Sequence, residues 1–111
     1  MEITGFQMLT YVGTVVRGPH FGTSTNGISK CEFYLNVPYE NNKYPPALYF
    51  VTVWRDQAEK MKQVCLAMGD IVQIAGQAGI KSWTDDKTNL TRYCFEMKTV
   101  KSIEKIAESQ V

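Results

Sequence analysis

The chain has 111 residues, 44% of them hydrophobic, and a formal net charge of +1, which together indicate one ordinary globular domain. It has no apolar run near the ~18 residues of a membrane-spanning helix and no signal-peptide pattern, so we expect a cytoplasmic protein. Because the net charge is nearly neutral, a nucleic-acid binder of this composition would have to concentrate its cations on one face.

The first predicted strand covers residues 6–16, which are rich in β-branched and aromatic side chains. Gly13 indicates a bend or bulge in its middle, and Arg17-Gly18-Pro19 is predicted to end it. Residues 20–27 are predicted to form a loop that closes with Asn26-Gly27, a strong hairpin-turn signal.

The second and third predicted strands each have two distinct faces. Apolar and polar residues alternate over residues 28–37, which assigns the apolar set to the core and an outer face to Lys30, Glu32, Tyr34 and Asn36. A proline-rich loop follows and carries Tyr39, Lys43 and Tyr44. The valine-rich face of residues 48–54 suits the core, which leaves Phe50 and Trp54 on the open side.

One short amphipathic helix is predicted after the third strand. Asp56 and Glu59 have the spacing of a capping box, and Gly69 is the predicted residue just past the helix end. Between them, the apolar positions at helical spacing are Ala58, Met61, Cys65 and Met68.

A long hairpin over residues 68–97 is the stretch around which the rest of the chain is organised. Two cations and two aromatic rings flank its polar loop: Lys81 and Trp83 before it, Arg92 and Tyr93 after it. An exposed tryptophan beside Lys and Arg suits a flat, negatively charged ligand. The alternative is a tryptophan that folds back to cover its own hairpin.

The element order β-β-β-α-β-β predicts an all-β fold with one short helix. It is that of a five-stranded Greek-key barrel of the oligonucleotide/oligosaccharide-binding (OB) type, with the helix between strands three and four. We expect a single OB domain over residues 1–103 and a short tail over residues 104–111, in which Ile106 and Ala107 continue a helix-like spacing from Ile103. The first strand of such a barrel is expected to leave an unpaired edge.

The polar residues give little support for catalysis. The three cysteines, Cys31, Cys65 and Cys94, are widely spaced among apolar neighbours, so we expect reduced core thiols. The one histidine, His20, stands in a predicted turn, and Asp85-Asp86 in a polar loop. With no phosphate-binding glycine loop and no metal-ligand spacing, the sequence predicts a protein that is not an enzyme and uses no cofactor.

Most of the chain resembles the bacterial-type single-stranded DNA-binding protein (SSB) family, in a short form without the acidic C-terminal tail. The matching motifs are Val12-Gly13-Thr14-Val15 with Pro19, Asn26-Gly27 before Phe33-Tyr34-Leu35, Trp54-Arg55-Asp56-Gln57-Ala58-Glu59, Gly69-Asp70-Ile71-Val72 with Gly76-Gln77, Lys81-Ser82-Trp83-Thr84-Asp85, and Arg92-Tyr93. The N-terminal third also resembles primosomal protein B, of the same superfamily, in Gly13-Thr14-Val15, Arg17, Pro19, Gly27-Ile28 and Cys31-x-Phe33-x-Leu35.

The resemblance implies that single-stranded DNA crosses one barrel face and stacks on aromatic rings without strong sequence preference. Trp54 and Trp83 stand at two stacking positions, Tyr44 lies in the loop that holds another, and Phe50 is a further candidate. Tyr34 either stacks a base or packs across strands. The cations expected near the phosphates are Lys30, Lys43, Arg55, Lys81 and Arg92.

The resemblance also implies partners. It favours a homotetramer over a dimer, with roles in DNA replication, repair and recombination. The alternative function is an accessory of replication restart similar to primosomal protein B, or an OB-fold module that binds replication or primosome proteins through its exposed aromatic residues.

Overall fold

The computed structural model describes residues 8–39 and 45–109. Five strands and one helix follow in the order β1 (Leu9–Thr23), β2 (Ser29–Val37), β3 (Ala47–Trp54), α1 (Arg55–Gln63), β4 (Ile71–Thr84) and β5 (Thr91–Ala107). The strands close into a barrel in the order β1-β2-β3-β5-β4, in which β3 and β5 are parallel and the other neighbours antiparallel. The predicted OB fold, with its helix between β3 and β4, is confirmed.

The alternating pattern of β2 and β3 places the core inside the barrel, as predicted. The side chains of Phe33 and Leu35 on β2 and of Val51 and Val53 on β3 are at most 1% exposed. Helix α1 adds Ala58 and Met61 to the same core, together with Leu66 from the turn that follows the helix. Each fully buried side chain of this size contributes roughly 1.5–3 kcal/mol to folding.

Strand β1 is longer than the sequence pattern predicts. The predicted end at Arg17-Gly18-Pro19 is wrong, because two register shifts absorb these residues and the strand continues to Thr23. Residues 9–14 pair with β4, and residues 14–23 pair with β2. Each half of β1 therefore has one paired and one open edge among the described residues.

Gly13 stands just before the point at which β1 changes partner. A Cβ atom at Gly13 would lie 2.5 Å from the backbone oxygen of Asn36, so only glycine allows this close approach of β1 to β2. The predicted bulge at Gly13 is wrong, because the register of β1 is regular from Leu9 to Val15 and its shifts lie after Val15 and after Arg17.

Helix α1 begins at Arg55, two residues earlier than a capping box with Asp56 as the N-cap predicts. Trp54 is the N-cap residue and no side chain caps the helix, so Asp56 lies inside the first turn. Glu59 accepts a hydrogen bond from Ser29 Oγ at 2.6 Å and links the helix to β2. The capping-box prediction is wrong because the strand passes directly into the helix at Trp54.

The helix also ends earlier than its apolar spacing predicts. It stops at Gln63, so Cys65 and Met68 lie beyond it and are exposed. Leu66 is buried instead, because the chain turns after Gln63 and the helical spacing of apolar residues no longer applies. Gly69 has a φ of 95° but serves the turn into β4, where its N–H donates to the carbonyl of Val15 at 2.7 Å.

The last strand includes part of the predicted tail. Residues 104–107 belong to β5, and Ile103 is buried while Ile106 is exposed. This part of the chain is therefore a strand, although its apolar residues have helix-like spacing. The helix-like spacing arises because the apolar Ile106 lies three positions after the buried Ile103 but faces solvent.

Asp70 ties this end of β5 to the turn before β4. Its carboxylate accepts hydrogen bonds from the N–H groups of Ala67 at 2.8 Å and Ser109 at 2.9 Å, and Lys105 Nζ lies 3.3 Å away. Burial alone would raise the pKa of Asp70, but these N–H donors and the Lys105 ammonium bring it below its ordinary value. We call this arrangement the Asp70 clamp.

The three cysteines have different surroundings and all are free thiols. Cys31 is a core residue as predicted, and burial, with a smaller effect of Glu32, raises the pKa of its thiol to about 11. Cys65 is exposed, so the prediction of a core position is wrong for it, and Cys94 is only partly buried.

Candidate nucleic-acid interface

The outer face of β2 and β3 brings several of the predicted binding residues into register. Tyr34 pairs with Phe50 across the two strands, and their ring centroids are 5.1 Å apart at an interplanar angle of 37°. Lys30 pairs with Trp54 in the same way, four positions along β3 from Phe50. All four side chains lie opposite the core and are at least partly exposed. We call this surface the outer face.

The long hairpin adds its predicted cation and tryptophan to the outer face. Lys81 Nζ lies 4.0 Å from the ring centroid of Phe50, a distance typical of a cation–π contact. Trp83, which is 43% exposed, borders a surface pocket of about 330 Å³ together with Tyr34 and Leu48. The hairpin therefore contributes to the same depression as Tyr34.

Trp54 forms a second aromatic position, on the side of the outer face nearest α1. Its ring is 45% exposed, and Lys30 Nζ lies 5.8 Å from the ring centroid. It borders a second surface pocket, of about 320 Å³, with Glu96 and Lys98 of β5. The stacking candidates thus form two groups, one around Tyr34 and one at Trp54.

The remaining predicted residues are placed less centrally. Arg92 pairs with Trp83 at the hairpin end, and its Nε lies 3.9 Å from a carboxylate oxygen of Asp85. Arg55 is exposed at the start of α1, and within the described residues it makes no ring contact or ion pair. Lys43 and Tyr44 lie outside the described residues.

Two cations on the outer face were missed in the sequence. The guanidinium carbon of Arg17 lies 5.7 Å from the ring centroid of Tyr34, although Arg17 was predicted to end a strand and was not among the predicted binding residues. Lys98 borders the pocket beside Trp54. Lys98 follows Arg92, Cys94 and Glu96 at every second position of β5, and alternate residues of a strand point to the same face. The alternation along β5 would therefore have identified it.

The cations of the outer face fall into two kinds. Lys30 forms an ion pair with Glu32 at 2.6 Å, and Lys98 forms one with Glu96 at 2.9 Å. In contrast, Arg17 and Lys81 form no ion pair with any described residue and contact aromatic rings instead. Their charge is therefore the more available to a bound anion.

Cys94 lies directly across from Lys81 in the hairpin. Burial raises the pKa of this thiol, and Glu96 raises it further, against the opposing effect of Lys81. The side chain is consequently a neutral thiol at physiological pH and adds no negative charge to the outer face.

A separate apolar surface lies beside the hairpin. Tyr11, Tyr49 and Phe95 form a row of aromatic rings: Tyr11 and Tyr49 are tilted with centroids 5.1 Å apart, and Tyr49 and Phe95 are stacked at 4.9 Å. A pocket of about 280 Å³ opens nearby and is lined by Leu48, Ile80, Tyr93, Cys94 and Phe95. Burial raises the pKa of the Tyr49 hydroxyl, so this side chain is neutral at physiological pH.

The described residues contain no group of three or more His, Cys, Asp or Glu side chains that could hold a metal ion. No helix among them is long and apolar enough to cross a membrane.

An OB barrel with exposed aromatic rings and cations on one sheet face is the architecture of proteins that bind single-stranded nucleic acids. The chain matches the model of the single-strand binding protein family over residues 6–104, and it belongs to that family. It is therefore a single-stranded DNA-binding protein and not an enzyme.

A solved structure shares this fold. The chain is similar to the small single-stranded DNA-binding protein from Streptomyces coelicolor, seen in a crystal structure, with a TM-score of 0.73 and 22% sequence identity. The match covers 89% of this chain and 93% of that chain. No curated protein matched the sequence.

Proposed function

We propose that single-stranded DNA lies across the outer face and stacks on Tyr34, Phe50, Trp54 and Trp83 as the protein acts in DNA replication, repair and recombination. The observation that carries this proposal is the Tyr34–Phe50 pair, with the Lys81 ammonium 4.0 Å from the Phe50 ring and Trp83 bordering the adjacent pocket. Aromatic rings bind the faces of bases while nearby cations bind phosphates, which is the chemistry that a single strand presents.

The proposed mode of binding tolerates any base sequence. Stacking uses the face that every base has, and each stacked base contributes roughly 1–3 kcal/mol. Lys81 and Arg92, with Lys30, Lys43 and Arg55, supply the phosphate contacts. Glu32 and Glu96 form ion pairs with Lys30 and Lys98 of the outer face. The affinity for DNA therefore depends more on stacking than on charge.

The test is titration with a labelled oligo-dT of about 35 nucleotides at low salt, followed by quenching of tryptophan fluorescence. We expect Trp54→Ala and Trp83→Ala each to weaken binding by about 1–3 kcal/mol. Trp83→Phe is the matched variant, since it keeps a ring and should retain most of the affinity. Alanine variants that fold and bind normally would assign these tryptophans to packing or to a protein contact.

The apolar surface beside the hairpin supports a second candidate function. The pocket that Ile80 and Phe95 line is suited to a protein partner more than to a phosphate backbone, because it is apolar. An interaction module for replication or primosome proteins would use this surface. It becomes the better explanation if the folded protein shows no binding to oligo-dT in low-salt buffer.

We further propose that the protein is a homotetramer, with a dimer as the second possibility, and that it acts in the cytoplasm on nucleoid DNA. Exposed apolar residues support self-association: Leu9 and Val12 on β1, and Ile80 and Phe95 on the hairpin. The open edge along residues 9–13 of β1 supplies backbone groups for pairing with a second copy.

A further inference from the structure

We propose that the DNA path continues beyond Tyr34 onto the bulged part of β1, where Arg17 and His20 form a subsite for one more nucleotide. Arg17 would bind its phosphate, and its base would rest between His20 and the Tyr34–Phe50 pair. This inference rests on the proposed function and adds two residues from a strand to which no binding residue has been assigned.

The bulges of β1 are what bring Arg17 and His20 to the outer face. Val15 points into the core and pairs with Leu35, so strict alternation would turn Arg17 into the core as well. The register shift after Val15 instead sets Arg17 opposite Tyr34, and the second shift sets His20 opposite Glu32. Bulges commonly redirect a side chain in this way next to functional sites.

Arg17 and Tyr34 stand between two depressions of the surface. Both residues line the pocket of about 330 Å³ that Trp83 also borders. Both also line a pocket of about 220 Å³ that contains His20 and Phe50. A strand that enters beside Trp83 and continues across the sheet therefore passes over this pair into the second pocket.

The electrostatics of this pocket favour a phosphate at Arg17. The guanidinium is exposed, contacts the face of the Tyr34 ring, and forms no ion pair with a described residue. A guanidinium that stacks on a ring keeps its N–H donors free at the edge, where they can bind phosphate oxygens in pairs. Glu32, the acidic residue of the pocket, is already paired with Lys30 at 2.6 Å.

The experiment measures oligo-dT binding by the full chain at several salt concentrations. We expect Arg17→Ala to weaken binding about five- to tenfold and to reduce the slope of log affinity against log salt by about 0.7 per subunit. Arg17→Lys should keep the slope but lose part of the affinity, because an ammonium cannot bind a phosphate in the same paired geometry. Lys62→Ala, which removes the same charge from α1, should change neither.

A length series distinguishes a subsite from a packing role of Arg17. Oligo-dT lengthened one nucleotide at a time should show that the Arg17→Ala/His20→Ala double variant covers about one nucleotide fewer per subunit than the wild type. A folded Arg17→Ala variant with wild-type affinity and salt slope would overturn the subsite while leaving the proposed function intact. A wild-type protein that does not bind oligo-dT would overturn the proposed function itself.

Discussion

Asp70 connects three parts of the barrel through its side chain and its backbone. Among the described residues it is the one buried charged side chain, at 2% exposure. Its backbone adds to the clamp, since the Asp70 carbonyl accepts a hydrogen bond from the N–H of Val15 at 2.9 Å. Asp70 therefore joins β1, the turn before β4 and the end of β5 at one point.

We expect acid to destabilise the protein through Asp70. Because the folded-state pKa of this carboxyl lies below its ordinary value of 3.8, the unfolded chain binds the proton more tightly. The stabilisation is complete above pH 3.8 and is lost as the pH falls through the folded-state pKa. Denaturant unfolding from about pH 6 to about pH 2.5 measures this loss.

The Asp70→Asn variant is the matching test. It should lower the free energy of unfolding at neutral pH by about 1–3 kcal/mol and flatten the acid dependence. Asp86→Asn, in the exposed hairpin loop, should behave like the wild type. An Asp70→Asn variant with the full acid dependence would assign that dependence to other carboxyls.

Gly69 gives a second prediction for a single residue. Its φ of 95° is one that side chains rarely adopt, and a Cβ atom there would lie 2.6 Å from Ser109 Oγ. Gly69→Ala should therefore lower the free energy of unfolding by about 1–3 kcal/mol, measured by chemical denaturation. Gly22→Ala is the control, since nothing lies within 4 Å of a Cβ at that position. Equal effects of the two variants would contradict the steric argument.

At the scale of elements, the sequence predicted those strands in which apolar and polar residues alternate without interruption. The strands β2 and β3 followed from alternation, and their outer faces with Tyr34, Phe50 and Trp54 followed with them. The course of β1 could not be predicted, because a bulge changes the parity of every later residue. Arg17 was overlooked for this reason.

The hairpin shows the same limit at the candidate site. Lys81 and Trp83 were predicted together because they stand close together before the polar loop of the hairpin. The contact of Lys81 with Phe50 depends instead on how the hairpin curves over β3, and nothing in the local sequence encodes that. Likewise, finding Lys98 required the alternation of β5 to be followed one step beyond Glu96, with which Lys98 forms an ion pair.

The two paired carboxylates of the outer face provide a prediction at this scale. Glu32→Gln and Glu96→Gln should free Lys30 and Lys98, so each should raise affinity for oligo-dT about two- to fivefold. Each should also steepen the salt slope by up to about 0.7 per subunit. The measurement is a titration at several salt concentrations.

Glu104→Gln is the control for this prediction. It removes an equivalent ion pair, the 3.3 Å contact with Lys60, on the side of the barrel that carries α1. It should leave binding unchanged. Unaltered binding by both outer-face variants would mean that their lysines lie off the DNA path.

At the scale of the whole molecule, we expect self-association. Light scattering or sedimentation at micromolar concentration should give the mass of a tetramer, or of a dimer if only one of the two apolar surfaces is used. Leu9→Glu would place a charge on the open edge of β1 and should reduce the mass, whereas Gln63→Glu, which adds the same charge at an exposed position of α1, should not. A monomer at micromolar concentration would contradict the expectation.

The hairpin is anchored to the barrel at one end only. Beyond Gly76, β4 pairs with β5 alone among the described residues, and β5 contacts β3 in register only at Phe95 and Glu96. Two-stranded ribbons of this kind have a low free energy of local opening.

Amide hydrogens near Trp83 should therefore exchange with solvent much faster than those of the Asp70 clamp. Bound DNA should slow this exchange, because ordering the ribbon is part of the free-energy cost of binding.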